Sequence, residues 1–205
     1  MAVTEAIGTA AAADRRDQLL EQTLVVLSRR SYAETRVEDI CASAGVSRAT
    51  FYRYFDGKDQ LFEALVERMM SEVLATAAHL GAVTPDTEGR ATLAHWLADL
   101  VSITERWGPL VDEVNLLRAG NPHARARAVV MTGRFADLLG ERFAAGGVEG
   151  VDPTMAALAI IAMTDRTAHQ VRTWNIDLDR EAVVDALATL AMRMLHPGMP
   201  DDVAG

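Results

Sequence analysis

The sequence predicts an all-α protein: an N-terminal three-helix, helix-turn-helix head followed by a larger helical body. Three observations predict it. Apolar residues recur at i, i+3, i+4 and i+7 along most of the 205 residues. Glycine and proline stand between those stretches, where they stop and start helices. No convincing period-2 run bounded by hairpin turns occurs.

The elements follow in chain order. Residues 1–13 are Ala-rich, contain Glu5 and lack a basic stretch, so a disordered tail is expected and a signal peptide is not. Asp14–Arg30 predicts the opening helix, with Leu19, Leu20, Leu24 and Leu27 as its apolar stripe. Next comes the most informative segment, TRVEDICASAGVSRATFYRYFDGKDQLF, from Thr35 to Phe62. Thr35 and Glu38 have capping-box spacing at a helix start. Val37, Ile40, Cys41 and Ala44 form one apolar stripe. Gly45 suits the left-handed position that ends a helix, and Ser47 suits the cap that begins the next. Val46 and Phe51 have the spacing of a hydrophobic staple. Phe51 and Phe55 are expected inside, which leaves Arg48, Ala49, Thr50, Tyr52 and Arg53 outside.

A long helix is expected from Lys58 to about Leu80, then a loop marked by Gly81, Pro85 and Gly89. Further helices are expected at 90–106, 109–119, 123–145, 153–174 and 179–195. Their punctuation is Gly108-Pro109, Gly120-Asn121-Pro122, Gly146-Gly147 with Gly150, and the Asn175–Asp179 turn. The expected division is a tail at 1–13, a head at 14–60 and a body at 61–205.

The outer face of the head suits DNA. Arg48 and Arg53 can pair with phosphates or guanine edges. Thr50 and Tyr52 can donate hydroxyl hydrogen bonds to phosphate oxygens. Ala49 is small enough to let the helix approach a thymine methyl group. Lys58 stands in the first turn of the following helix, where its charge and the free N–H groups can face one phosphate.

These residues resemble a known family. AGVSRATFYRYFDGKDQLFEAL looks like the N-terminal domain of TetR-family transcriptional regulators, and the likeness runs from about Arg15 to Val66. It is carried by Gly45-Val46-Ser47, Thr50, Phe51-Tyr52, Phe55, Lys58 and Leu61. The resemblance implies that Thr50, Tyr52, Tyr54 and Lys58 contact the DNA backbone or groove, and that Arg48 and Ala49 face bases. One departure stands out: the family usually places Ser or Thr where Arg36 stands. Thr35 is expected to take over that cap, which leaves Arg36 to reach a phosphate. The candidate DNA-binding set is therefore Arg36, Ser47, Arg48, Ala49, Thr50, Tyr52, Arg53, Tyr54 and Lys58.

Charge is compatible only locally. The chain carries a formal net charge of −9. Residues 1–70 hold nine Lys or Arg against 11 Asp or Glu, so the head as a whole is not basic. Within Ser47–Lys58, three basic residues oppose Asp56 alone. Affinity should come from that local face and fall steeply with salt.

Other classes fit less well. The longest uninterrupted apolar run is nine residues, Met155 to Met163, whereas a spanning helix needs about 20; no membrane partner is expected. The single cysteine, Cys41, excludes an internal disulfide, lies on the core stripe of its helix and suits a reducing cytoplasm. His79, His95, His123, His169 and His196 show no metal-ligand spacing, and no phosphate-binding glycine loop is present. No catalytic residue, metal or cofactor is expected.

The body suggests two further roles. Val183, Leu187, Leu190 and Met194 form a stripe, and Ala156, Ala159 and Ala162 permit close helix approach. Two such helices from each subunit would build a four-helix dimer bundle, the usual arrangement in TetR-like proteins. A two-fold homodimer would present two heads to a palindromic operator in double-stranded DNA. The expected dimer contacts are Ala159, Ala162, Val183, Leu187, Leu190 and Met194.

An apolar small molecule is the other expected partner. Trp96, Leu100, Ile103, Thr104, Trp107, Leu110 and Val114 are candidate pocket residues, with Met131, Phe135, Met163, Thr164 and Trp174. Plain core packing is the competing fate of the same side chains. Met163–Thr167 resembles the corresponding helix of family members similar to the mycobacterial repressor of ethionamide bioactivation. In that group an amide near the Thr164 position meets ligands in an apolar tunnel. The expected function is a cytoplasmic bacterial repressor released by its ligand. The alternatives are a helical apolar-ligand carrier without a DNA-binding role, or a ligand-independent DNA-binding activator.

Overall fold

The computed structural model describes residues 2–120, 122–148 and 150–200. Among the described residues there are eight helices and no strand. The chain divides into two compact units: residues up to Met69 with Pro109–Leu116, and Met70–Gly108 with the residues from Leu117 onward. The expected break between residues 60 and 61 therefore falls inside a helix, ahead of the division. Met1 of the expected tail, Asn121 of the expected punctuation and residues 201–205 of the expected body lie outside the described residues.

The first unit is built on α1 (Ala2–Leu27), α2 (Val37–Ala44), α3 (Arg48–Tyr52) and the first turns of α4 (Lys58–His79). α1 begins at Ala2, not at Asp14. The alanines that suggested a loose tail are also the strongest helix formers, and the helix runs through them. Leu19, Leu20, Leu24 and Leu27 are buried, as their spacing requires, and α1 packs on α2. Gln18 of α1 donates its amide to the carbonyl of Ala44 at 3.0 Å, which satisfies a group left open at the end of α2. Ser43 donates to Gln22 across the same pair at 2.8 Å.

The start of α2 differs from the expectation. Arg36, not Thr35, occupies the cap position, and Asp39 accepts the Arg36 N–H at 2.9 Å. Arginine has no acceptor, so this is half of a capping box, supplied from the third helical residue. Thr35 is buried and turns its hydroxyl back to the carbonyl of Ser31 at 2.8 Å. Its side chain serves the preceding turn and is not free to cap α2. Gly45 then ends α2 with φ 62°, a conformation that a side chain would strain. Ser47 caps α3 by accepting the Thr50 N–H at 3.1 Å. α3 closes at Tyr52, with Phe51 and Phe55 buried behind it.

The second unit holds the rest of α4, α5 (Thr87–Gly120) apart from its Pro109–Leu116 segment, α6 (Pro122–Ala145), α7 (Pro153–Trp174) and α8 (Arg180–Leu195). α6 packs on α7 and α7 on α8. Leu93, Leu97, Leu139, Phe143, Ile160 and Met192 lie at the centre of its core. Caps explain the α7 and α8 boundaries. Asp152 accepts the Met155 N–H at 2.9 Å with Pro153 in the first turn, Asn175 adopts φ 49° at the end of α7, and Asp179 caps α8.

Two helices expected at 90–106 and 109–119 are one. Pro109 withdraws a single N–H from the ladder. The flanking Trp107 and Leu110 are both fully buried, so packing holds the helix through the defect. The turn after α6 is tighter than its sequence suggests. A Cβ on Gly146 would stand 2.5 Å from the carbonyl oxygen of Val83, and backbone cannot yield there as a side-chain end can. Gly146→Ala should therefore destabilise the second unit by about 1–3 kcal/mol, read as a lower urea midpoint at unchanged slope. His196 fixes the same Val83 carbonyl from another side. Its buried ring Nε2 lies 2.8 Å from that oxygen and must donate to it.

Candidate functional site

The head presents one exposed chemical face. Arg48, Ala49, Tyr52 and Arg53 are exposed on α3 and the turn that follows, while Thr50 and Tyr54 are half-buried. Tyr52 is 46% exposed, and its ring meets the buried Phe51 edge-on at 5.4 Å between centroids. The Arg48 guanidinium lies 5.8 Å from the Tyr52 ring centre and 2.5 Å from a Glu38 oxygen. Both ends of that ion pair are exposed, so exchanging Glu38 for a phosphate or base costs at most about 1 kcal/mol. Arg53 lies over the Tyr54 ring at 5.0 Å and donates to its hydroxyl at 3.1 Å. Thr50 shares its hydroxyl with Ser47 at 3.0 Å, inside the cap. Arg36 is exposed at the start of α2.

Lys58 is placed differently from the sequence reading. Its ammonium donates to the carbonyls of Tyr32 at 3.0 Å and Thr35 at 3.1 Å, and it sits 4.5 Å from the Tyr32 ring centre. It ties the loop before α2 to the start of α4, with one of its three N–H donors beyond those two bonds. Tyr32 is the residue that sequence reasoning passed over. Its ring packs on Phe62 at 4.5 Å and its hydroxyl donates to Asp59. Burial, then the Asp59 carboxylate, pushes the phenol well above its ordinary pKa, so it stays a donor. The only signal for it was one aromatic in a short polar loop. Cys41 is buried, and burial, helped by Glu38, raises its thiol pKa.

The candidate pocket residues of the body differ in their surroundings. Trp96, Leu100 and Phe135 belong to the packed core, and the Trp96 indole donates to the Thr76 carbonyl at 3.0 Å. Trp107 is fully buried, and its indole donates to Glu72 at 2.8 Å, beside Arg106 on the same carboxylate. Leu110 is fully buried. Ile103, Thr104, Val114, Met131 and Met163 are half-buried, and Thr104 spends its hydroxyl on the Val101 carbonyl at 2.8 Å. Trp174 is exposed.

Thr164 does reach a cavity. A cleft of about 410 Å³ lies among α5, α7 and α8. Val101, Ala168, Val171 and Leu187 give it apolar walls, while Glu105, Arg172 and Arg180 bring charge. The buried Thr164 hydroxyl donates to the Ile160 carbonyl at 2.9 Å, which leaves its lone pairs as the available polar function. No sequence window could show this site, because its lining comes from three separated helices.

The expected dimer stripe divides. Leu187 is buried in its own unit and helps line the cleft, whereas Leu190 is 54% exposed and Ala162 is also exposed. Ala159, Val183 and Met194 are half-buried, as are the edges of such a stripe. Asp165 and Arg166 are exposed.

Comparison with known proteins bears on these observations. Residues 19–65 match the family model of bacterial regulatory proteins of the tetR family. The fatty acid metabolism regulator protein of Bacillus subtilis is 24% identical over 194 residues, which cover 89% of this chain and 94% of that protein. The regulator EthR of Mycolicibacterium smegmatis is 33% identical over 57 residues, or 28% of this chain and 26% of that one. The structure of the fatty acid degradation regulator FadR from Bacillus halodurans superposes with a TM-score of 0.67 at 19% identity, over 89% of this chain and 96% of that chain. The capped helix-turn-helix lies within the residues that the family model matches, so residues 19–65 form a DNA-binding head of the tetR family of bacterial regulatory proteins.

Proposed function

We propose that the protein is a repressor that binds a palindromic operator as a homodimer and releases it when a small molecule binds the second unit. The observation that carries the reading is the exposed Arg48–Ala49–Tyr52–Arg53 face, held by the Ser47 cap and the Gly45 turn. A rigid, capped element with two arginines and a tyrosine outward can position on phosphates and reach base edges. Dimerisation is supported by Met155 and Leu190, large apolar residues left exposed on the packed pair α7 and α8. No helix among the described residues is long and apolar enough to cross a membrane, and a cytoplasmic location in a bacterium fits DNA as partner. Two relatives named for the regulation of fatty acid metabolism or degradation make genes of that metabolism the first to test.

Selection of bound sequences from fragmented genomic DNA tests the reading. The expected product is an inverted repeat whose half-sites lie one helical turn or a multiple apart, bound by a dimer in sedimentation and weakened steeply by salt. A reporter under that operator should be silenced. Recovery of no inverted repeat would favour an apolar-ligand carrier, and reporter stimulation would favour an activator.

A further inference from the structure

We propose that Glu38 is a positioning residue for the choice of DNA sequence: its carboxylate keeps Arg48 from phosphate and directs it to a guanine edge. The proposal rests on the reading that the outer face of the head binds an operator, and it assigns that face a base-reading contact. A fixed turn brings the pair together. Glu38 lies in the first turn of α2 and Arg48 opens α3, with Gly45 and the Ser47 cap between them. Arg48 Nη1 stands 2.5 Å from Glu38 Oε1, and the Tyr52 ring, four residues along α3, lies 5.8 Å from the Arg48 Cζ. The guanidinium is thus bounded by a carboxylate from α2 and an aromatic ring from its own helix.

Both side chains are exposed, so the pair adds little to the stability of the free head and the fold does not explain the acid. Its sign explains more. A phosphate drawn to Arg48 would set a second anion beside Glu38, and like charges resist that. Guanine offers neutral acceptors instead, O6 and N7, which arginine meets with a parallel pair of N–H groups. A guanidinium carries five N–H donors, so Arg48 can leave Nη1 on Glu38 and still serve both acceptors. Position agrees with charge, because the first residues of a recognition helix are those that meet base edges. The other arginines of the face differ. Among the described residues, neither the Arg36 nor the Arg53 side chain has a carboxylate partner; Arg53 lies over the Tyr54 ring and donates to its hydroxyl at 3.1 Å. Nothing there opposes a phosphate. The head thereby divides two tasks, with Arg36 and Arg53 for the DNA backbone and Arg48 for a base.

The test selects bound sites from a randomised DNA pool with the full chain, then titrates sites in which each base pair is replaced in turn. Arg48→Ala should lose discrimination of about tenfold or more at one G·C pair in each half-site. Glu38→Gln should lose most of the discrimination at that same pair and keep it at the others. Released from the acid, Arg48 should then take a phosphate, so the salt slope of Glu38→Gln should steepen by about one unit per subunit. Glu38→Asp, which keeps the charge and shortens the reach, should fall between. In an Arg48→Ala background, Glu38→Gln should change discrimination no further. Thermal unfolding of each variant reports whether its fold is kept. Tighter binding of every sequence alike by Glu38→Gln, with discrimination kept, would make Glu38 a plain repulsive charge and overturn the proposal, as would no change at all. A selected site with no G·C pair sensitive to Arg48→Ala would overturn it and leave the operator reading standing. Recovery of no site by the wild type would sink both.

Discussion

Trp107→Ala should lower the stability of the second unit by about 3–5 kcal/mol, the range for removing a large aromatic from a packed core. The indole is 1% exposed, and its Nε1–H gives Glu72 a bond of 2.8 Å. Truncation therefore leaves a cavity and removes a donor from a carboxylate that then has Arg106, at 3.2 Å, to compensate it. Trp107→Phe separates the two losses. It keeps most of the volume and should cost about 1–3 kcal/mol, the scale for removing one partner from a buried polar pair. Urea unfolding followed by circular dichroism measures both. A loss below about 1 kcal/mol for the alanine variant would mean that the indole borders open space, and would make Trp107 a candidate for touching ligand again.

Trp107 marks the limit of what local sequence signals can disclose. Those in the head were legible because each acts within a few residues. Gly45, Ser47 and the buried pair Phe51 and Phe55 are all placed as their spacing requires. The error at Thr35 is of the same local kind: a threonine can cap forward or bond backward, and only the neighbouring chain decides which. Helix boundaries in the body were legible wherever a cap marked them, at Asp152, Asn175 and Asp179. Pro109 was not, because burial on either side outweighs one missing hydrogen bond. The pocket was hardest to read. An apolar stripe with tryptophan has the same pattern whether it meets a ligand or a neighbouring helix, and Trp96 and Trp107 both meet protein carbonyl or carboxylate groups. Arg172 and Arg180 carry no local signal; residues of three helices meet them at one cleft.

Tyr52→Ala should abolish most operator binding while leaving the fold intact. Tyr52 is a large side chain of α3 that remains half in solvent, so its removal leaves no enclosed cavity. A hydroxyl bonded to a phosphate contributes about 1.5 kcal/mol or more, as bonds to charged groups do. A dimer loses two such bonds, so affinity should fall by about 3 kcal/mol, more than a hundredfold. Tyr52→Phe isolates the hydroxyl from the ring. If the hydroxyl bonds the phosphate, the phenylalanine variant should fall nearly as far as the alanine variant. If the ring packs on the sugar–phosphate chain or steadies Arg48 at 5.8 Å, phenylalanine should retain most of the affinity. Gel shifts on the selected operator at two salt concentrations distinguish these cases. Loss of a neutral donor leaves the salt slope nearly unchanged, whereas Arg53→Ala should reduce it by about one unit for each phosphate no longer neutralised. Wild-type affinity in the alanine variant would place the DNA-reading surface elsewhere in the head, with Arg36 at the start of α2 the next residue to replace.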